Sequence, residues 1–178
     1  MSGVPIMPNR EQPRWWARML SRARSSRIYP FVVALLAAVS AGTGLYPFGP
    51  VLIAAIVIAP QRWWHIYFAS CLGATLGVLV FAGAVEFYGL PVVESMFPGI
   101  EQRTDWLRYT LWISRYGWIA LLAFAALPVP QMPVLLLSAL SHISLAKIAI
   151  AIFIGKLIKY GIYGVMVLSA LKGIQERK

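Results

Sequence analysis

Long uncharged stretches of apolar residues recur along the chain and predict helices that can cross a lipid bilayer. They cover residues 28–45, 63–85 and 116–145, and none of them holds an acidic residue, a lysine or an arginine. About 18 apolar residues suffice to span a hydrocarbon core about 30 Å thick. A chain of 178 residues is too short to surround three such helices with protein. The pattern therefore predicts an integral membrane protein.

Two proline-rich breaks interrupt this apolar pattern. The first, residues 47–60, is too short to cross a bilayer as a helix, and we expect it to enter the membrane and turn back. The second divides the stretch 116–145, because proline lacks an amide donor and clashes with the preceding helical turn. The prolines are Pro47, Pro50 and Pro60 in the first break and Pro128, Pro130 and Pro133 in the second. Non-helical backbone at membrane depth needs protein or water around it, so both breaks are predicted to face each other in the interior.

The two halves of the chain share one order, in which a proline break precedes a glycine-marked span. Pro50 precedes Gly73 by 23 residues, and Pro133 precedes Gly155 by 22 residues. Paired broken segments in corresponding positions indicate an internal repeat and a transporter-like binding site between its halves. The predicted fold class is an all-α integral membrane protein, an inverted repeat of a proline-broken re-entrant hairpin plus a transmembrane helix.

The predicted organisation has three parts. Residues 1–27 form a basic arm, either a helix lying on the lipid headgroups or a disordered tail. Residues 28–171 form the transmembrane domain, in which 89–115 is a polar connection leading into an interfacial helix. Residues 172–178 form a polar tail. Three crossings would place the termini on opposite sides of the membrane, as the repeat favours, and four would place both inside, as the basic ends favour.

The formal net charge of +10 would suit nucleic acid, but the position of the charge argues against that partner. Six arginines precede the first span directly: Arg10, Arg14, Arg18, Arg22, Arg24 and Arg27. Basic residues beside a span favour the cytoplasmic side and anionic lipid headgroups. We therefore predict a cytoplasmic N-terminus, membrane lipids with anionic headgroups as partners, and no nucleic acid.

Ionisable and polar side chains inside the apolar stretches are the candidates for function. Lys156 and Lys159 lie three residues apart on one helix face with Tyr160. Either lysine could neutralise Glu86 within the bundle, or Glu86 could lie at the lipid headgroups. The lysine stems could instead reach the headgroups. Gln131 either lines a cavity or caps a neighbouring carbonyl group. The candidate substrate-binding residues are Pro47, Pro50, Glu86, Pro128, Pro130, Gln131, Pro133, Lys156, Lys159 and Tyr160.

Other motifs limit the chemistry that the chain can perform. Gly73 and Gly77 form a Gly-x-x-x-Gly pattern, which together with Gly155 predicts close helix packing. No cysteine and histidine cluster, phosphate-binding glycine loop or Ser-His-Asp arrangement with a recognisable context is present. We therefore predict no cofactor and no metal, and expect no enzymatic activity.

The order and spacing of these motifs resemble the VTT domain of the DedA superfamily, of the SNARE-associated Golgi protein type. The likeness is closest to its small YqaA-like branch. It rests on residues 47–60, 73–77, 116–118, 128–130 and 153–160, and it covers about residues 28–171. The resemblance implies a bacterial inner membrane protein with inverted repeats, each with a re-entrant hairpin. It also implies a role in membrane homeostasis, in which some members move lipids or lipid-linked carriers between leaflets.

The chain departs from this family at charged positions. Family members often place Ser-Glu beside the first proline break, where this chain has no acid. The arginines of the family's last span are Lys156 and Lys159 here. The expected function is movement of a lipid or lipid-linked phosphate between leaflets, as a scramblase or a carrier. The alternatives are an ion or small-solute transporter using the same cavity, and a non-transporting assembly partner; a homo-oligomer is compatible with each.

Overall fold

The structure, a computed structural model, describes residues 26–96, 98–99, 102, 104–127, 129, 131–141 and 143–176. The helices in these ranges are α-helices apart from 3₁₀ conformation at Pro60–Arg62 and Gln102, and no strand occurs among the described residues. The predicted all-α class is thus confirmed for the described residues. The helices are α1 Tyr29–Thr43, α2 Phe48–Ile58, α3 Trp63–Tyr88, α4 Leu90–Met96, α5 Thr104–Tyr116, α6 Trp118–Ala126, α7 Met132–Leu140 and α8 Leu145–Gln175.

Two segments of the described chain are long and apolar enough to cross a membrane. They are Pro60–Tyr88 and Leu145–Ile174. Helix α1 has 15 residues and is therefore about 22 Å long, less than the hydrocarbon thickness of about 30 Å. The helix that forms within the predicted first span, 28–45, is therefore too short to cross the membrane by itself.

The helices are interrupted near both predicted breaks, but the breaks are shorter than predicted. Most of the first break, Phe48–Ile58, forms helix α2, and Pro133 lies in the first turn of α7. Helix α1 ends where Gly44 adopts a left-handed conformation with φ 67°, which a side chain would disfavour. Helix α6 ends before Leu127, which is extended, with φ −82° and ψ 155°. A residue before proline is forced into this region, and Pro128 follows Leu127. Pro128 and Pro130 themselves lie outside the described residues.

Helix α1 packs along α3 and runs in the same direction. Gly73 lies against Ala34, and Gly77 lies against Ala38, four residues further along both helices. A Cβ atom on either glycine would collide with the carbonyl oxygen of its alanine partner. The Gly-x-x-x-Gly pattern therefore brings two helices of this chain into backbone contact.

Helices α6 and α8 repeat this arrangement in the second half. Gly155 of α8 lies against Ala125 of α6, and Lys159 bonds the backbone at Leu127, so the two helices run in the same direction. The long helices α3 and α8 are antiparallel: Tyr67 of α3 lies against Gly161 of α8, and Trp63, four residues earlier, lies against Gly164, three residues later. The Tyr67 hydroxyl donates to the Leu157 carbonyl over 2.8 Å. Helix α2 packs on α8, and α7 packs on α3. Each short helix thus packs against the long helix of the other half.

The C-terminal boundary differs from the prediction. Helix α8 continues to Gln175, so residues 172–175 of the predicted tail are helical. Lys172 lies in the last turn of the helix, where a cation interacts favourably with the exposed carbonyl groups. The first part of the predicted tail therefore extends the last helix.

Candidate functional site

A cavity of about 590 Å³ lies between the two proline breaks. It is enclosed by the end of α1, the first residues of α2, the second break and the middle of α8. The described residues that line it are Ser40, Ala41, Gly44, Leu45, Tyr46, Pro47, Phe48, Gly49, Pro50, Val129, Gln131, Met132, Pro133, Lys156, Lys159, Tyr160 and Tyr163. Both breaks therefore contribute to one site.

Lys156 is the most deeply buried charged side chain among the described residues, with 6% of its surface exposed. Its Nζ donates a hydrogen bond to the Gln131 Oε1 over 2.9 Å. The same nitrogen lies 5.4 Å from the centre of the Tyr160 ring, within cation–π distance. An amide oxygen and an aromatic face thus hold the ammonium group inside the protein.

Gln131 immediately precedes α7, and its side chain makes no capping bond there. The lysine ammonium can only donate, so the amide oxygen of Gln131 must be the atom that faces it. This geometry assigns the side chain to the cavity lining. The Gln131 amide is neutral and contributes only a dipole, so it does not compensate the positive charge of Lys156.

Lys159 lies one turn further along α8 and is half-buried. Its Nζ donates to the carbonyl oxygen of Leu127 over 2.9 Å. That carbonyl closes α6, where the chain has no following turn to supply an amide donor. The lysine therefore satisfies a backbone group that the second break leaves open.

Side-chain contacts hold the start of the first break against α1 and α8. The Ser40 hydroxyl donates to the Tyr46 carbonyl over 2.7 Å, and the Tyr46 hydroxyl donates to the Leu36 carbonyl over 2.6 Å. The Tyr160 ring lies 5.4 Å from the Phe48 ring, centre to centre. These contacts fix the opposite wall of the cavity.

The cavity is cationic and reaches the protein surface. Leu45, at its edge, is 79% exposed, and the neighbouring Pro47 and Pro50 are also exposed. The two lysines are the only charged side chains among its described lining residues, and none of these residues is acidic. The described part of the chain also contains no group of three or more histidine, cysteine and acidic residues that could hold a metal ion.

Most of the candidate residues that the structure describes meet at this cavity. They are Pro47, Pro50, Gln131, Pro133, Lys156, Lys159 and Tyr160. Sequence reasoning missed Ser40 and Tyr46 as part of the site. The sequence did contain one indication, since Tyr46 directly precedes Pro47. A residue before proline favours an extended backbone, and this conformation leaves the Tyr46 carbonyl group open to a donor.

Glu86 is the exception, since it lies exposed in the last turns of α3 and outside the cavity. Tyr67 of α3 lies beside Leu157, at the level of the two lysines. Glu86 follows Tyr67 by 19 residues, which is about 28 Å along the helix axis. The proposed neutralisation of Glu86 by Lys156 or Lys159 is therefore wrong, because the antiparallel alignment of α3 and α8 separates these groups.

No protein-family model, curated protein or solved structure matches this chain. The functional interpretation consequently rests on the cavity, its charges and its place in the fold.

Proposed function

We propose that this chain is a membrane protein that binds the anionic headgroup of a lipid or lipid-linked phosphate and moves it between leaflets. The observation that carries the proposal is the pair Lys156 and Lys159 in a cavity without an acid among its described lining residues. An ammonium group inside an apolar bundle is costly unless it is compensated. A phosphate would supply the missing negative charge, and lysine binds phosphate as a point charge.

The dimensions of the cavity support a headgroup as the ligand. Its volume of about 590 Å³ lies within the range of about 300–1,000 Å³ that is typical of small-molecule sites. The exposed apolar edge at Leu45 and Pro47 would allow acyl chains to remain outside while the headgroup entered. A lipid could thus use the site without bringing its tails into the protein.

We further propose that α1–α2 and α6–α7 are re-entrant hairpins of an inverted repeat. The corresponding contacts support this: α1 packs on α3 as α6 packs on α8, and α2 packs on α8 as α7 packs on α3. Because α3 and α8 are antiparallel, the two hairpins would enter from opposite sides and meet at the cavity. This arrangement agrees with the fold that the resemblance to the DedA superfamily implies.

Two full crossings, by α3 and α8, would place Ser26 and Glu176 on the same side of the membrane. Basic residues lie at that side: Arg27 before α1, Arg62 before α3 and Lys172 at the end of α8. The positive-inside rule assigns such a side to the cytoplasm. A topology of two hairpins and two crossings thus reconciles the internal repeat with the basic residues at both ends of the chain. The membrane in this proposal is a bacterial inner membrane.

This topology predicts which introduced thiols a membrane-impermeant reagent can reach. Cys71 is the single cysteine of the sequence, so its replacement by alanine gives a background without native thiols. In this background, Ser2→Cys and Glu176→Cys are expected to resist labelling in intact cells and to react after permeabilisation. Gln102→Cys, in the connection between α4 and α5, should react in intact cells. Labelling of Ser2→Cys from outside would overturn the orientation, and labelling of Glu176→Cys alone would overturn the number of crossings.

A change at Gln131 tests whether the free charge of Lys156 is what the site offers. In Gln131→Glu a carboxylate would lie about 2.9 Å from the ammonium group and compensate it internally. We expect headgroup transport to fall about tenfold while thermal stability is retained or raised. Gln131→Met, which has a similar length and no charge, serves as the matched control and should lose less transport. Equal transport in the glutamate variant and the unmodified protein would contradict a phosphate site at Lys156.

The two alternative functions receive less support from the site. A cation transporter or a proton-coupled transporter would need an acid at the cavity, and the described lining has none. An assembly partner would use its glycine faces to pack against another protein, but Gly73, Gly77 and Gly155 contact helices of this chain. The arrangement therefore favours lipid handling.

The decisive test is reconstitution of this protein alone into liposomes that contain a fluorescent anionic phospholipid. An impermeant quencher reports which labelled headgroups face outward. We expect protein-containing liposomes to lose more fluorescence than protein-free liposomes, because headgroups exchange between leaflets. Identical traces, with the protein verified as inserted, would exclude lipid translocation by this chain alone.

A further inference from the structure

A second cavity, of about 660 Å³, lies on the outside of the bundle between the beginnings of α1 and α3. Its walls are apolar side chains that point away from the core: Phe31 of α1 is 73% exposed, and Phe68 and Leu72 of α3 are 47% and 54% exposed. The Phe68 ring stacks on Trp64 at a centroid distance of 5.8 Å. The surface is therefore a concave apolar groove and not a flat helix face.

Cations close one end of this groove. Arg27 and Arg62 line it together with His65, and none of its described lining residues is acidic. The Arg62 Nη1 donates to the Ser26 carbonyl over 2.7 Å, which fixes the guanidinium group beside the start of α1. A preorganised charge loses less entropy when it binds a ligand. Guanidinium groups also match phosphate geometry better than any other side chain.

The length of the groove along α3 matches the thickness of one leaflet. Leu72 follows Arg62 by ten residues, which is about 15 Å along α3. Half of a hydrocarbon core is also about 15 Å thick. Trp64 lies at the cationic end, where tryptophan prefers the boundary between headgroups and tails. A ligand that fills the groove would therefore have an anionic head and an apolar tail of leaflet length.

We propose that this groove binds one anionic phospholipid of the surrounding leaflet as a resident lipid, with its phosphate on Arg27 and Arg62 and a chain along Phe31, Phe68 and Leu72. The proposal rests on the proposed embedding of α3 in a membrane but not on transport through the central cavity. The two sites are separate, because they share no described lining residue.

Titration of the purified full chain with phosphatidylglycerol, followed by native mass spectrometry, tests this proposal. The unmodified protein should retain phosphatidylglycerol in preference to phosphatidylcholine. Each arginine near a membrane surface contributes about a fivefold gain in affinity for anionic lipid, so Arg27→Gln should weaken binding about fivefold and Arg27→Gln with Arg62→Gln about 30-fold. The single variant matters because Arg27 is exposed, so its replacement leaves the packing intact.

Two controls separate the groove from general charge. Arg108→Gln with Arg115→Gln removes two exposed cations from α5 and should leave binding unchanged. Ala69→Phe keeps both arginines but fills the groove, so it should weaken binding while size-exclusion and thermal-unfolding profiles stay normal. Equal retention of both lipids, or equal losses in the α5 control and the Arg27 variant, would overturn the proposal.

A third variant distinguishes the groove from the central site. In a Lys156→Ala, Lys159→Ala background, which removes the cations of the central cavity, the arginine variants should weaken phosphatidylglycerol binding by the same factors. If phosphatidylglycerol is lost in the lysine variant and kept in the arginine variants, the lipid occupies the central cavity. That result would refute the groove site and leave the proposed function standing.

Discussion

Lys156→Ala is expected to reduce headgroup translocation in liposomes by about tenfold to 100-fold while the protein still inserts into membranes. A hydrogen bond to a charged group contributes about 1.5–3 kcal/mol, and the alanine variant would lose that contact with the phosphate. Lys159→Ala should have a similar effect on transport. It should also destabilise the second break, because the Leu127 carbonyl loses its donor.

Variants of the same helix provide the controls for this prediction. Lys147 is exposed in the first turn of α8, so Lys147→Ala removes an equal charge outside the cavity and should transport normally. Arginine at position 156 or 159 should retain more transport than alanine, because it keeps a cation with several donors. Full transport, or full complementation of a deletion strain, by both alanine variants would refute the headgroup role of these lysines.

The helices that could be predicted from the sequence are those with strong local determinants. Helix α3, Trp63–Tyr88, begins at the first residue of the predicted stretch 63–85 and covers all of it, because an Arg-Trp-Trp run marks its start and Gly89 follows it. The second break could be predicted because three prolines exclude a regular helix. The predicted span 28–45 was too long, since Gly44 takes a left-handed conformation that apolar composition does not reveal.

The candidate site could be predicted in its residue types but not in its pairings. Buried lysines and a polar residue at a proline break were evident as costly groups in an apolar segment. The bond between Lys156 and Gln131 depends on how α8 packs against the second break, across 25 residues of sequence. Glu86 was assigned to the same site because the sequence does not show how α3 aligns with α8. Composition identifies charges in a span, but only helix alignment decides which of them share a level.

The packing of α1 on α3 depends on two positions where a side chain cannot fit. Gly73→Leu or Gly77→Leu would drive the side chain into the backbone of Ala34 or Ala38, so α1 would have to move away from α3. Inserting large groups at a well-packed contact costs about 1–3 kcal/mol and more where backbone is displaced. We expect each variant to lower the free energy of unfolding by about 3 kcal/mol or more. Thermal and denaturant unfolding of the purified protein in detergent would measure the loss.

Gly83→Leu is the matched control, because the same substitution on the same helix meets no atom within 4 Å of an added Cβ. Leucine also favours a helix interior over glycine by about 0.8 kcal/mol, so this variant should be as stable as the unmodified protein or slightly more stable. Transport should fall in the Gly73 and Gly77 variants as well, since α1 carries Ser40 and leads into the first wall of the cavity. If all three leucine variants unfold alike, the contact between α1 and α3 does not stabilise the protein. The cavity would then have to be held by α2, α7 and α8 alone, and the role assigned to the Gly-x-x-x-Gly pattern would be wrong.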